Sequence, residues 1–173
     1  MPRLRAILLD LGDTIMQEVT EEKDETETTL RADLFPGMAE ALRHLRSAGH
    51  PLGLVADTRP GTYRNVLAQH DLMHVFDAYS ISEELGTRKP DALMFRHALA
   101  ALGVPASEFG RAAMVGNNLA RDIRGANALG LISILIRWND RYAAEPEGSL
   151  DAPDHTVRSA DELLRLVAEL EAR

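Results

Sequence analysis

Ile7-Leu8-Leu9-Asp10-Leu11-Gly12-Asp13-Thr14 is the stretch that decides how this chain is read. An apolar run ends abruptly on a carboxylate and passes into a Gly-Asp-Thr turn. A buried strand that stops at an aspartate presents that side chain at the carboxyl edge of a sheet, where open α/β sheets place their ligands and their chemistry. Asp10 is therefore the first candidate for a nucleophile or a metal ligand.

Reading outward, apolar runs at Leu4–Leu9, Leu52–Ala56, Val75–Ile81, Ala112–Val115 and Leu131–Ile136 predict five strands. Each is continuous rather than alternating, as expected for a parallel sheet covered on both faces. Helical segments lie between them. Pro36-Gly37 opens one with Met38, Ala41, Leu42 and Leu45 on one side, and Pro60 opens another with Tyr63, Val66 and Leu67. Pro90-Asp91 starts a third, with Leu93, Phe95, Leu99 and Leu102 inside. A fourth spans 118–129 and is closed by Gly130, and Ser159…Glu162 forms a capping box before the last. Met16, Met38, Met73, Met94 and Met114 read as core or near-core filler. Residues 15–34 are polar and irregular, and the acidic run Glu18–Glu27 within them reads as a solvated surface segment. The one long loop, Trp138–Pro153, contains Trp138, Tyr142 and two prolines; it could line a site or pack on the sheet edge, and packing is favoured, with Trp138 in a packing role.

With 173 residues and no internal repeat or linker, the expectation is one domain over residues 1–173. The formal net charge of −8 argues against nucleic acid as a partner, and no apolar run is long enough to span a membrane. The chain has no Cys, so neither disulfides nor thiolate chemistry are available, which fits a cytoplasmic protein. His70 and His74 are four apart, but without Cys or nearby carboxylates they do not read as a zinc site.

Four places carry chemistry, and a parallel sheet brings all of them to one edge. They are Asp10; Ala56-Asp57-Thr58-Arg59; Arg88-Lys89-Pro90; and Gly116-Asn117-Asn118…Arg121-Asp122. Asp10 and Asp122 are hard oxygen ligands of the kind Mg²⁺ takes. Lys89 is a compact positive charge suited to a phosphoryl group or to the carboxylates. Backbone N–H groups near Asn118 point to the same edge, and Arg59 is suited to clamping an anion. Arg121 and Arg124 could face the mouth of the site or decorate an exposed helix face, the second being favoured. The plainer reading of the segment after the second strand has Thr58 capping the helix that follows it and Arg59 solvated.

Asp10-Leu11-Gly12-Asp13-Thr14, Arg88-Lys89-Pro90-Asp91 and Val115-Gly116-Asn117-Asn118…Asp122-Ile123-Arg124-Gly125-Ala126 together resemble the haloacid dehalogenase (HAD) superfamily. The resemblance runs from the first strand to Ile136. It implies a three-layer Rossmann-like α/β fold with parallel strand order 5-4-1-2-3, here without a substantial cap and with a short flap at 15–34. It implies a Mg²⁺-dependent phosphatase working through an aspartyl-phosphate, with Asp10 as nucleophile and Lys89 steadying the transferring group. Thr14, Asp57, Thr58, Arg59 and Asn118 fall at substrate-binding places. Asp10, the Gly12 carbonyl, Asn117 and Asp122 fall at metal-binding ones.

Three positions depart from the pattern. Gly12 stands where the family's phosphatases carry a second Asp that protonates the leaving oxygen. Asp13 is the neighbouring carboxylate and is carried as the candidate acid, although successive turn residues usually point apart. Ala56 replaces a hydroxyl residue, and Asn117 replaces an acidic ligand, which lowers the charge offered to a metal. The first expectation is therefore a phosphoric monoester hydrolase, weakened by Gly12, acting on a phosphorylated small molecule or macromolecule. The alternative is an impaired HAD-like binding or regulatory domain. A carbon–halogen hydrolase comes third, because no helical cap is present to close an apolar pocket. The open edge leaves room for a homo-oligomer.

Overall fold

The computed structural model describes residues 3–143 and 145–172. In chain order the elements are β1 (Ala6–Leu9), β2 (Glu22–Lys23), β3 (Thr29–Arg31), α1 (Met38–Ser47), β4 (Leu52–Ala56) and α2 (Pro60–Gln69). They continue with β5 (Ala78–Ile81), α3 (Ser82–Leu85), α4 (Ala92–Ala101) and β6 (Ala112–Gly116). The last are α5 (Arg124–Leu129), β7 (Ile132–Ile136), β8 (His155–Val157) and α6 (Ala160–Ala172).

The main sheet runs β5-β4-β1-β6-β7-β8, with every pairing parallel. Its first five members are the five expected strands in the expected order. The pleat of β1 divides the core. Ile7 and Leu9 face α1, α2 and α6, while Ala6 and Leu8 face α4 and α5. Apolar side chains on both faces of one strand are what produce the continuous run in the sequence.

Several expectations change. A sixth strand, β8, continues the sheet beyond β7. Its His-Thr-Val sequence is too short and too polar to stand out from the loop before it. The third strand begins at Ala78, because Met73–Val75 forms a 3₁₀ turn that leaves Met73 exposed rather than in the core. Leu93 is also exposed: α4 buries Met94, Phe95, Ala98 and Leu99, a stripe offset from the one read. The helix after β6 opens as a π-helical turn over Leu119–Ile123 before becoming α5. The flap is not irregular, since β2 and β3 form an antiparallel hairpin. The capping box is present in part: Ser159 Oγ accepts the Glu162 N–H at 3.1 Å, and Glu162 Oε2 accepts the Arg158 N–H at 2.7 Å.

The flap hairpin is fastened along one side of α2. Thr62 Oγ1 accepts the Thr29 N–H at 3.0 Å, Asn65 Nδ2 donates to the Thr29 carbonyl at 2.9 Å, and Gln69 Oε1 accepts the Ala32 N–H at 3.1 Å. His70 Nε2 donates to the Ala32 carbonyl at 2.8 Å. Positions 62, 65 and 69 recur at helical spacing, so one polar face of α2 serves as the hairpin's dock. No described helix is long and apolar enough to cross a membrane.

Candidate active site

The carboxyl ends of β1, β4 and β6 open onto a cavity of about 640 Å³. Asp10 lies at its floor, one residue past the end of β1. Lys89 reaches it from the turn before α4 and is almost wholly buried. Its Nζ donates to Asp10 Oδ1 at 2.7 Å, to Asp122 Oδ1 at 2.7 Å and to the Val55 carbonyl at 2.9 Å. All three ammonium protons are thereby used. Burial alone would favour the neutral amine, but Asp10, Asp122 and Asp57 override it and hold the Lys89 pKa above its ordinary value. Burial pushes the Asp122 carboxyl up and the Asp10 charge adds to this, while Lys89 opposes both.

Thr14 was expected to touch substrate. It is fully buried beneath the floor instead, where its Oγ1 donates to Asp10 Oδ2 at 3.1 Å and its carbonyl accepts the Trp138 indole N–H at 2.9 Å. Thr14 therefore positions the nucleophile candidate. Trp138 packs as expected, stacked on Phe35 with ring centroids 4.5 Å apart.

Asp13 does not line the cavity. Its backbone turns through φ 50°, its Oδ1 accepts the Glu18 N–H at 3.0 Å, and its Oδ2 pairs with Arg141 at 2.8 Å. These bonds tie up both oxygens away from the cavity, so the expectation that Asp13 serves as the acid is corrected.

Asp57 lines the cavity, but its Oδ1 accepts the Lys89 N–H at 2.9 Å, so it also braces the turn that delivers the lysine. Asp57 Oδ2 faces Arg121 Nη1 at 3.5 Å. Arg121 thus stands at the mouth of the cavity, the less favoured of its two sequence readings. Arg124 is elsewhere, bound to Asp151 through two hydrogen bonds of 2.7 and 2.8 Å. Thr58 and Arg59 line the cavity. Thr58 makes no cap bond to α2, and Arg59 reaches the Thr26 carbonyl of the flap. Asn118 lines the wall, accepts the Arg121 N–H at 3.1 Å and donates its own N–H to Asp122 Oδ2 at 3.0 Å.

The expected Mg²⁺ set comprises Asp10, the Gly12 carbonyl, Asn117 and Asp122. Asp10, Gly12, Asn117 and Asp122 all line the cavity. Both Asp122 oxygens are engaged, by Lys89 and by the Asn118 N–H, and Asn117 is neutral. Among the described residues no three His, Cys, Asp or Glu groups form a metal cluster. One carboxylate flanked by carbonyl and amide oxygens fits Mg²⁺, which keeps several waters and is completed by substrate phosphate. It does not make a cage that would hold the ion tightly.

The flap and the loop after β7 bring further groups that the sequence reading did not pick out. Glu18 lines the cavity, and its Oε2 accepts from the Tyr142 hydroxyl at 3.2 Å and pairs with Arg141 at 3.2 Å. Burial raises the Glu18 pKa, the Asp13 charge adds to this, and Arg141 opposes it. Burial and the charges of Glu18 and Asp13 push the Tyr142 phenol up to about 12, so it remains a donor. The loop, for which packing was favoured over lining a site, therefore supplies Tyr142 to the cavity wall and Arg141 as a partner of Glu18. Their signal was weak: an Arg-Tyr pair in a polar loop, and one glutamate within an acidic run.

A family model for haloacid dehalogenase-like hydrolases matches residues 4–130. The chain is 35% identical to a glyceraldehyde 3-phosphate phosphatase of Methanopyrus kandleri over 79% of its own length and 57% of the relative's. It is 38% identical to a phosphoserine phosphatase of Thermus thermophilus over 73% of its length and 48% of the relative's. The chain thus spans about half the length of these curated relatives. A solved dehalogenase structure superposes with a TM-score of 0.78 at 17% identity, covering 96% of this chain and 98% of the other, and shares the fold. Motifs, strand order and the matched model agree, and the chain belongs to the haloacid dehalogenase-like hydrolase family.

Proposed function

We propose that this chain hydrolyses phosphate monoesters of small molecules through an aspartyl-phosphate formed on Asp10. The observation that carries this reading is the setting of the Asp10 carboxylate at the cavity floor. It is aimed by Lys89 Nζ at 2.7 Å on one oxygen and Thr14 Oγ1 at 3.1 Å on the other. In the first step an Asp10 oxygen attacks phosphorus while the bond to the ester oxygen breaks. In the second, water attacks the same phosphorus and the bond to Asp10 breaks, releasing inorganic phosphate. Lys89 offsets negative charge on Asp10 and on the transferring group, and Arg59 and Arg121 offer charge at the mouth for the dianion. Asp10, the Gly12 carbonyl and Asn117 would hold Mg²⁺, with Asp122 acting through water, and the ion would supply charge stabilisation to the phosphoryl oxygens.

The phosphatase names of the relatives support the phosphoryl reading over the carbon–halogen one. So does a cavity whose lining is mainly polar and charged, with Glu18, Lys23, Arg59 and Arg121 outweighing Leu11, Met16 and Ala56. The test is a panel of phosphate monoesters assayed with Mg²⁺, using wild type and Asp10→Asn. Turnover abolished by the substitution is the expected result, together with a loss of activity on chelation of Mg²⁺. Equal turnover in both proteins would refute the assignment, and no turnover in either would favour the binding-domain alternative.

A further inference from the structure

Breaking a phosphate ester leaves an alkoxide that needs a proton, and Gly12 and Asp13 cannot supply one. The structure places another carboxylate in the vacated space. A Cβ built on Gly12 would lie 2.3 Å from Glu18 Oε1, 3.1 Å from its Cδ and 3.3 Å from its Cγ. The end of the Glu18 side chain thus fills the volume that a side chain at position 12, two residues from Asp10, would occupy.

The two oxygens of Glu18 differ. Oε2 is fixed by Tyr142 and Arg141, whereas Oε1 makes no hydrogen bond among the described residues and rests against the nucleophile's own turn. Other carboxylates line the cavity, Glu27 and Glu83 among them, but the three heavy atoms nearest the Gly12 Cβ position all belong to Glu18. Asp57 Oδ1 accepts the Lys89 N–H and its Oδ2 faces Arg121 Nη1 at 3.5 Å, Asp122 holds Lys89 and the Asn118 N–H, and Glu21 binds the Thr29 hydroxyl at 2.6 Å and Lys23 at 3.3 Å.

We propose that Glu18 supplies from the flap the acid–base group that position 12 lacks, which makes it a catalytic residue of the phosphatase reading on which this inference rests. Protonated Glu18 gives its Oε1 proton to the ester oxygen as the bond from Asp10 to phosphorus forms and the ester bond breaks. The resulting carboxylate takes a proton from water as the water oxygen attacks phosphorus and Asp10 departs. Inorganic phosphate leaves and Glu18 is again protonated, so one water is consumed per ester. Tyr142 and Arg141 are positioning residues that turn Oε1 inward.

The test uses a graded series of aryl phosphates whose leaving groups range from nitrophenol to methoxyphenol, assayed as kcat/KM with Mg²⁺. Wild type is expected to depend weakly on the leaving group. Glu18→Gln should depend steeply on it, losing little on the nitrophenyl ester and about 10²–10⁴-fold on the poorest, the range a positioned acid contributes. A Gly12→Asp/Glu18→Ala double variant returns a carboxylate to the same space from the other side and should recover the weak dependence. Gly12→Asp alone should be impaired by its contact with Glu18. If Glu18→Gln shows the wild-type slope, or loses activity equally across the series, Glu18 is not the acid. A double variant as steep as Glu18→Ala alone also counts against it. A wild type inactive on every ester would overturn the phosphatase reading and this proposal together, a pattern distinct from the failure of Glu18 alone.

Discussion

At the scale of single residues, the site is a buried charge cluster whose parts are useful only together. Lys89 has two carboxylates within 2.7 Å and is almost wholly out of water. Removing one partner of such a cluster leaves uncompensated buried charge and costs about 3–5 kcal/mol. Lys89→Met is therefore expected to lower stability by about that amount as well as to abolish turnover. Adding Asp122→Asn to the same chain should recover part of the loss by removing one of the stranded charges. Urea unfolding with an unchanged slope would read both effects, and a cost under about 1 kcal/mol for the single variant would show that water reaches the cluster and screens it. Gly116 belongs to the same arrangement, because a Cβ there would sit 2.3 Å from Asp122 Cγ. Only glycine lets that carboxylate cross to the lysine. Asp10, Lys89 and Asp122 were legible in the sequence because each sits at the carboxyl end of an apolar strand or at a helix start. Asp13 was misplaced because a turn's sequence does not tell which of two successive carboxylates faces inward. Its positive φ and its bond to Arg141, 128 residues away, settle that.

At the scale of elements, the flap works as a fixed arm. The hydrogen bonds from Thr62, Asn65, Gln69 and His70 hold β2 and β3 on α2, and Arg59 adds a contact to the Thr26 carbonyl. Glu18 begins the 3₁₀ turn Glu18–Thr20 that leads into the hairpin, so its reach over Gly12 depends on that docking. The double variant Thr62→Val/Asn65→Ala removes the two bonds to Thr29, each worth about 0.5–1.5 kcal/mol net. Hydrogen exchange is expected to rise in residues 18–32 and not in β1, β4 or β6, while kcat falls on alkyl and other poor leaving groups. Unchanged exchange in the flap would mean that the hairpin holds itself against the domain without α2. None of this docking was legible in advance. On α2 only the apolar Tyr63, Val66 and Leu67 stand out, and an acidic run reads as surface, because charge patterns report desolvation cost and not a partner brought close by the fold.

At the scale of the whole molecule, the strand order comes from the resemblance carried by the motifs at the strand ends, while five strands and the two-sided core follow from local apolar runs. β8 does not, because three residues carry too little pattern and the pairing depends on how the preceding loop is tied down. That tie is Arg124 with Asp151, joined by two hydrogen bonds of 2.7 and 2.8 Å. Asn127 reinforces it by donating to the Leu150 and Ala152 carbonyls at 2.8 Å each. Together they clamp the 149–152 segment to α5 just ahead of the edge strand. The hydrogen bonds from Arg124 hold the Asp151 carboxyl below its ordinary value of 3.8, with burial opposing and the Arg124 charge assisting. A carboxylate whose pKa is lower folded than unfolded stabilises the fold at pH values above the unfolded value, and that contribution fades as pH falls through the folded one. The thermal midpoint of wild type should therefore exceed that of Asp151→Asn near neutral pH. The gap should narrow once the pH drops below about 3.8, the unfolded value from which this linkage begins to fade. Melting curves of both proteins from pH 7 to pH 3 test this, with exchange protection in β8 as a local readout. A gap that stays constant across that range would mean that the clamp acts through packing and the Asn127 bonds rather than through the ion pair.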